Sequence, residues 1–600
     1  GSSDGSTRKL GEYVINDCNA LVDLTIYEDI NLEDLCEKLP DSLDVLRIEC
    51  TGAETRVEAN RYSSFGTPSE LHLGDGFISI EENAFAGNEN LRKVYVGKDL
   101  ASVGARAFEN DRNLTVFDTS ANRELTEIKE GAFKNSALTS FDCGTKLESI
   151  GAEAFSGTAL KSFVMPGSLS VVSARAFMGC SLLTEVKFGS GLQTVEEFAF
   201  ADADLRDFRI PLMQSIGDGV FVGNDNPGTI TFSDYSFIGN VKRLFKRSSG
   251  TDGDIYELPE NFNGAVIESG KIADFAFEDI MTIQNLRIDN AEIGERAFAS
   301  ITNLSVVTIS AGVTKIGVYA FSGCGNLSTV RIEAAGSKLT SIGNYAFENC
   351  ASLSYMVVPQ TITDVEWEGV FAGCSGIVSV NVPNSVTKIG KYAFKGCEKL
   401  VTVTMGRITE IAEEAFYGCK SLDLDNADFA ELQKIGASAF FACANLHGIK
   451  AVAVTEIGQN AFEGCASIEE ITVLNGETLD YYIGGEYTDK IVAVNVVGSV
   501  AGNFFNSCAN LKRIVFYSDS VDDVKPVLDY YLDKNSPYVF ARSDVYDSLK
   551  TEYAGRIHSV PTQADFNFEP VGGEARLTNM SQNDDEVVYL PEKTVIGGVT

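Results

Sequence analysis

The chain has 600 residues, 44% hydrophobic and 22% charged, a globular composition that excludes a largely disordered polypeptide. Its 85 Asp and Glu against 48 Lys and Arg give a formal charge of −37, which repels phosphate backbones and anionic bilayers and argues against a nucleic-acid partner. No run approaches the roughly 18 apolar residues that span a bilayer.

In chain order, residues 1–9 are mostly small and polar and read as a disordered start or an expression scar, joined to a mature N-terminus from which an export signal has been removed. Residues 10–65 read as an N-terminal cap. Strand-like alternation at 21–26 and 43–48 flanks a segment, 31–39, whose Asn31 start and acidic first turn predict a capped helix. From residue 66 an Ala-Phe pair or close variant recurs, with Phe at 85, 108, 133, 155, 177, 200, 221, 277, 298, 321, 347, 371, 394, 416, 440 and 462. Five or six residues after each Phe, Leu or Ile opens an apolar-x-x-apolar-x-apolar pattern, as at Leu304, Val307 and Ile309, which predicts a short strand. A second apolar residue then precedes a glycine in most repeats, as in Ile150-Gly151, Ile316-Gly317 and Ile435-Gly436. This predicts a second short strand and a sharp corner. Each repeat is thus expected to supply two strands, a corner and one helical turn carrying the Phe inward. One such unit has nothing to bury its apolar face against, so neighbours must stack into a continuous core.

The array divides into 66–232 and 271–516. Between them, residues 233–270 read as an irregular insertion or degenerate repeats containing the basic cluster Lys242, Arg243, Lys246 and Arg247, which is expected to fold near the binding face. Residues 517–600 read as a C-terminal cap and tail, with a short helix at 543–550 and a strand or two after 561.

The repeat at Ile316-Gly317, Ala320-Phe321, Gly323-Cys324, Leu327, Val330 and Ile332 resembles the BspA-like leucine-rich-repeat family, and the resemblance extends over about residues 66 to 516. It implies an α/β repeat fold: a solenoid of units roughly 22–24 residues long, with a parallel sheet on one face and a cap at each end. It also implies a bacterial surface or secreted protein that adheres to host proteins or other cells. On that resemblance the chain is expected to be extracellular, or tied to an outer membrane only through a lipid anchor, and to act as a monomer.

Nine of the thirteen cysteines fall three residues after a Phe, so their spacing is that of the repeat. Other repeats place Asn88, Asp111, Ser136, Thr158 and Ala203 there, so the position selects small residues, and buried free thiols are expected in preference to disulfides or a metal site. Asp252-Gly253-Asp254 and Asn224-Asp225-Asn226 carry calcium-like oxygens without the rest of a twelve-residue loop, and read as turns. The three histidines are isolated, and neither a phosphate loop, a nucleophile elbow nor an HExxH pair occurs. The chain is therefore expected to be no enzyme and to need no cofactor or metal. Positions between the second and third apolar residues of each strand point away from the core. In the middle of the array these are Lys187, Arg209, Arg287 and Arg331, a basic stripe on an acidic body and the candidate ligand-binding residues. The expected function is adhesion to, or binding of, a protein or glycan, including host extracellular ones. A structural spacer and a glycan-capturing accessory of polysaccharide uptake are the alternatives.

Overall fold

The computed structural model describes residues 18, 20–27, 39–49, 55–60, 62, 66–236, 238–247, 255–256, 259, 261–363, 367–424, 427, 429–449, 451, 453–474, 479–484, 487–531, 537–560, 566–571 and 574–580. The helix expected at 31–39, the start at 1–9 and residues 252–254 lie essentially outside these. The chain forms two compact units, residues 1–320 and 321–600.

Within the first unit the apolar alternation builds two parallel ladders. One joins Asp23–Ile26, Val45–Ile48, Glu70–Leu73, Lys93–Val96 and Val116–Asp118. It is resumed by Ser162–Val164 with Glu185–Lys187, and then by a run from Arg209–Ile210 through Val306–Ile309. The second ladder joins eight short strands from Thr55–Val57 to Ser215–Ile216. The second unit repeats the scheme, with Tyr355–Val357, Ser379–Asn381 and Thr402–Thr404 in the first ladder. Its second ladder holds Lys388–Ile389, Glu410–Ile411, Lys434–Ile435 and Glu456–Ile457.

The helical turn expected at each Phe is a different structure. Phe85 donates its backbone N–H to Ala107 of the next repeat (2.8 Å), and Asn83 and Gly87 donate likewise to Ala105 and Glu109. The residues between them close local turns instead, as Ala86 does onto Asn83 (3.3 Å). The cause is dihedral: in every one of the sixteen repeats the residues two before and two after the Phe have positive φ. A helix requires consecutive right-handed residues, so this alternation turns every second N–H toward the neighbouring repeat and creates a third ladder. The repeat is therefore chiefly β, and its sheet is not confined to one face.

The sixteen Phe rings are all at most 1% exposed. They stack along each unit at centroid spacings such as 5.4 Å for Phe108–Phe133, and 5.6 and 5.3 Å for Phe394 against Phe371 and Phe416. Between Phe221 and Phe277 the pattern is carried by other residues. Leu244 supplies the carbonyl to which Phe221 donates, Tyr235 packs against Phe277 with the rings tilted at 37° and 5.2 Å apart, and the strand Phe262–Ile272 adds a rung between Gly228–Phe232 and Asn285–Ile293. At the other end the parallel sheet continues past Arg513–Phe516 into Tyr538–Ala541 and Ile557–Ser559, with helices Val521–Tyr531 and Ser543–Leu549 in the connections. An antiparallel hairpin, Phe566–Val571 with Glu574–Met580, follows.

Removing one ring opens a cavity between two others that remain fixed by the ladders. Phe394→Ala is expected to cost about 3–5 kcal/mol, read as a lower denaturation midpoint of the second unit, while Phe394→Leu should cost about half of that.

Candidate functional site

The first ladder fixes the outward row. In the first unit Arg209 pairs in register with Thr231, Thr231 with Val266, Val266 with Arg287 and Arg287 with Thr308. The two arginines therefore share one row, three rungs or about 14 Å apart. Lys187 sits on the same kind of row, opposite the exposed Val164. None of the three is a free charge. Lys187 meets Glu185 at 3.1 Å, Arg287 meets Asp289 at 2.8 Å, and Arg209 binds Ser233 Oγ at 2.8 Å and the carboxylate of Glu268. Arg331 lies in the second unit, exposed, on the strand Thr329–Ile332. Two members of the basic cluster of 233–270 turn elsewhere: Arg243 binds Asp218 (3.0 Å) and the carbonyls of Ile216 and Ile238, and Lys246 also reaches Asp218 (3.5 Å). Asp218 follows the second-ladder strand Ser215–Ile216, so Arg243 ties the insertion to that corner and does not join the outward row.

In the second unit the first ladder exposes apolar side chains. Tyr355 is 56% exposed, Val378 45%, Val357 40% and Val401 38%, on three successive rungs. The sequence reading missed Tyr355 because it took one outward position per strand, and a strand flanked by outward residues two apart offers two. Val378 and Val401 begin their rungs just outside the paired strands, where parity does not place them.

The other candidate positions are structural. The thiols three residues after the Phe are buried, and seven of them donate to the Phe carbonyl of the preceding repeat, among them Cys374 to Phe347 (3.0 Å), Cys397 to Phe371 (3.1 Å), Cys419 to Phe394 (3.1 Å) and Cys443 to Phe416 (3.1 Å). Burial raises the pKa values of Cys397, Cys419 and Cys443, and that of Cys180 to about 11, which keeps these thiols protonated and unreactive. Asn224 uses the same geometry, donating to Phe200 (2.8 Å) while its Oδ1 accepts from Leu205 (3.0 Å), so it is spent on the fold and not on calcium. Among the described residues no group of three His, Cys, Asp or Glu is placed to hold a metal, and no helix is long and apolar enough to cross a membrane.

These repeats decide the family. The family model for the BspA type leucine-rich repeat region matches residues 3–115, 55–182, 116–228, 270–369 and 367–483. This chain belongs to the BspA-type leucine-rich-repeat family. No curated protein matches this family member. Among solved structures, a leucine-rich-repeat protein of Bacteroides ovatus is 20% identical, covering 68% of this chain and 90% of its own, with a TM-score of 0.26. A leucine-rich cell surface protein of Faecalibacterium prausnitzii is also 20% identical, covering 67% and 96%, with a TM-score of 0.27. The leucine-rich-repeat protein of T. pallidum is 25% identical over 31% of this chain and 78% of its own, with a TM-score of 0.23.

In this BspA-type protein Asp111 puts an acid three residues after the Phe. It is fully buried where the flanking repeats place Asn88 and Ser136; its Oδ1 accepts from Asn88 N–H (2.8 Å), and its Oδ2 has no partner among the described residues. Burial outweighs the backbone donors of Asn88 and Gly87 and raises its pKa from 3.8 to about 8. The folded chain thus holds a proton that the unfolded chain releases above about pH 4, so this group's contribution to stability falls as pH rises from about 4 to 8. Asp111→Asn, the residue found at the equivalent positions 88 and 224, is expected to stabilise the first unit by about 1–3 kcal/mol at pH 8 and progressively less toward pH 5, read from thermal melts at the two pH values.

Proposed function

We propose that this chain is a non-catalytic binding protein of the bacterial exterior, and that the outward row of its first ladder takes a protein or glycan ligand. The observation that carries the reading is the apolar cluster of Tyr355, Val357, Val378 and Val401. Tyr355 and Val357 are exposed on a paired strand and Val378 and Val401 at the entries to the next two, with the core complete without them, and apolar side chains left exposed on neighbouring rungs mark an interaction surface. An aromatic ring among β-branched residues supplies the desolvated centre from which interfaces draw most of their energy. Lys187, Arg209, Arg287 and Arg331 are the proposed polar contacts. Since the first three already have acidic or hydroxyl partners, an acidic ligand would exchange those partners, which favours specificity and association rate over affinity. The surface role that the BspA-type family implies supports the location, and a lipid anchor would supply the membrane link without a spanning helix.

A screen of extracellular proteins and glycans against the whole chain tests this. Tyr355→Ala with Val401→Asp is expected to weaken the ligand found at least tenfold without changing the melting temperature, whereas Arg209→Glu with Arg287→Glu should mainly slow association and lessen its salt dependence. A screen in which neither proteins nor glycans bind, or a ligand indifferent to both double variants, would remove the first ladder from consideration and favour a spacer.

A further inference from the structure

The second ladder of the second unit carries a groove of about 550 Å³ that the first-ladder reading does not use. Its origin is in the corner residues. Four successive repeats place Gly390, Ala412, Gly436 and Gly458 four residues before the Phe, the small residue that most repeats carry there, and this run is bounded at its start by Trp367. The floor is therefore backbone, and a Cβ at Gly436 or Gly458 would come within 2.3 and 2.2 Å of the preceding repeat's backbone nitrogens. One wall is the outward row of the second strands, Lys388, Glu410, Lys434 and Glu456. The other runs through Glu368, Lys391, Glu413, Ala437, Gln459 and Tyr481, whose carbonyls accept the third-ladder bonds of successive repeats. At the Glu368 end the preceding residue, Trp367, is buried, and its Nε1 has no acceptor among the described residues.

The walls bear on the chemistry of an occupant. Their charges are paired along the groove, Lys388 with Glu410 at 3.3 Å, Lys391 with Glu413 at 2.6 Å and Lys434 with Glu456 at 3.0 Å, and Glu368 accepts from Tyr345 Oη at 3.0 Å. Among the described residues only Glu368 lacks an ammonium partner in the walls, and it is bonded to the neutral Tyr345 and Asn344, so the walls do not call for an anionic ligand. The paired carboxylates still have lone pairs, and each ammonium has three protons, so both can bond hydroxyl groups. The floor strands are hydrogen-bonded to their neighbours on both sides where they lie inside the ladder, so they offer no free edge to an added peptide strand. From Glu368 to Tyr481 the wall spans five inter-rung steps, about 24 Å, and its volume is that of a small-molecule cleft.

We propose that this groove binds a neutral linear oligosaccharide lying along the ladder, its hydroxyls bonded to the two charged rows and one sugar face against Tyr481. The site is separate from the first-ladder face, so either can fail without the other.

Trp367 is the sole tryptophan of the chain and adjoins the groove, so its fluorescence reports occupancy directly. The full chain is titrated with four neutral hexasaccharides (β-1,4-glucan, α-1,4-glucan, β-1,4-xylan and β-1,4-N-acetylglucosamine) and with the peptide (Glu-Lys)₃, by fluorescence and calorimetry. Saturable binding of at least one hexasaccharide is expected. It should weaken at least tenfold in Ala437→Arg, whose side chain fills the groove from an exposed position and reaches Glu413, and should be unchanged in Lys550→Gln, an exposed lysine outside both faces. Should Ala437→Arg lower the melting temperature, Glu413→Gln with Lys434→Gln, which removes wall groups at constant size, must show the same loss. No saturable binding of any hexasaccharide, affinity indifferent to the groove variants, or binding of the peptide alone overturns the proposal.

Discussion

The structure depends on one constraint: each repeat must present to its neighbour the same backbone outline that it receives. Three ladders of hydrogen bonds run from repeat to repeat, and the Phe ring stacks where they enclose the core. Because the ladders set the separation of successive repeats near 4.8 Å, a ring at each corner lies within van der Waals range of the next. The rings and the ladders thus enforce a single spacing. Positive φ at two positions beside each Phe is what adjusts the chain to it, and bulky residues such as Tyr345 and Tyr392 are held there despite the local cost because stacking over-determines the conformation.

The same constraint explains the thiol row. A turn that donates alternate N–H groups outward leaves the Phe carbonyl facing the next repeat's side chain. A small donor three residues after the Phe answers it; Thr158 turns its hydroxyl back to Phe155 of its own repeat, while Cys and Asn meet the need with a proton. Asp111 meets it only when protonated, which is why burial and the missing partner at Oδ2 point the same way. What looks like a row of reactive or ligating groups is packing.

With the interior fixed by repetition, variation is confined to the two outward strand rows and the corner. A charge-compensated basic row occupies the first ladder of the first unit, an exposed apolar cluster occupies that of the second, and a run of small corner residues opens a groove beside the second ladder. Each of these can change without disturbing the column of rings, which is the physical reason such scaffolds separate stability from recognition.

The sequence by itself determined the repeat, its two strands, the burial of the Phe and Cys side chains and the parity of Arg209, Arg287 and Lys187, because these follow from periodicity within about 24 residues. It could not determine that the Phe turn is a third ladder and not helical, since apolar spacing is the same in both and only the bonds to the next repeat distinguish them. Nor did it reveal the rung at Phe262–Ile272, where Tyr235 and Leu244 take over roles the Ala-Phe pair marks elsewhere. The ion pairing of Arg209 with Glu268, 59 residues away, and the alignment of Gly390, Ala412, Gly436 and Gly458 into one floor were decided by stacking alone. Both bring together residues that are distant in the chain but adjacent once the repeats are superposed at a common register.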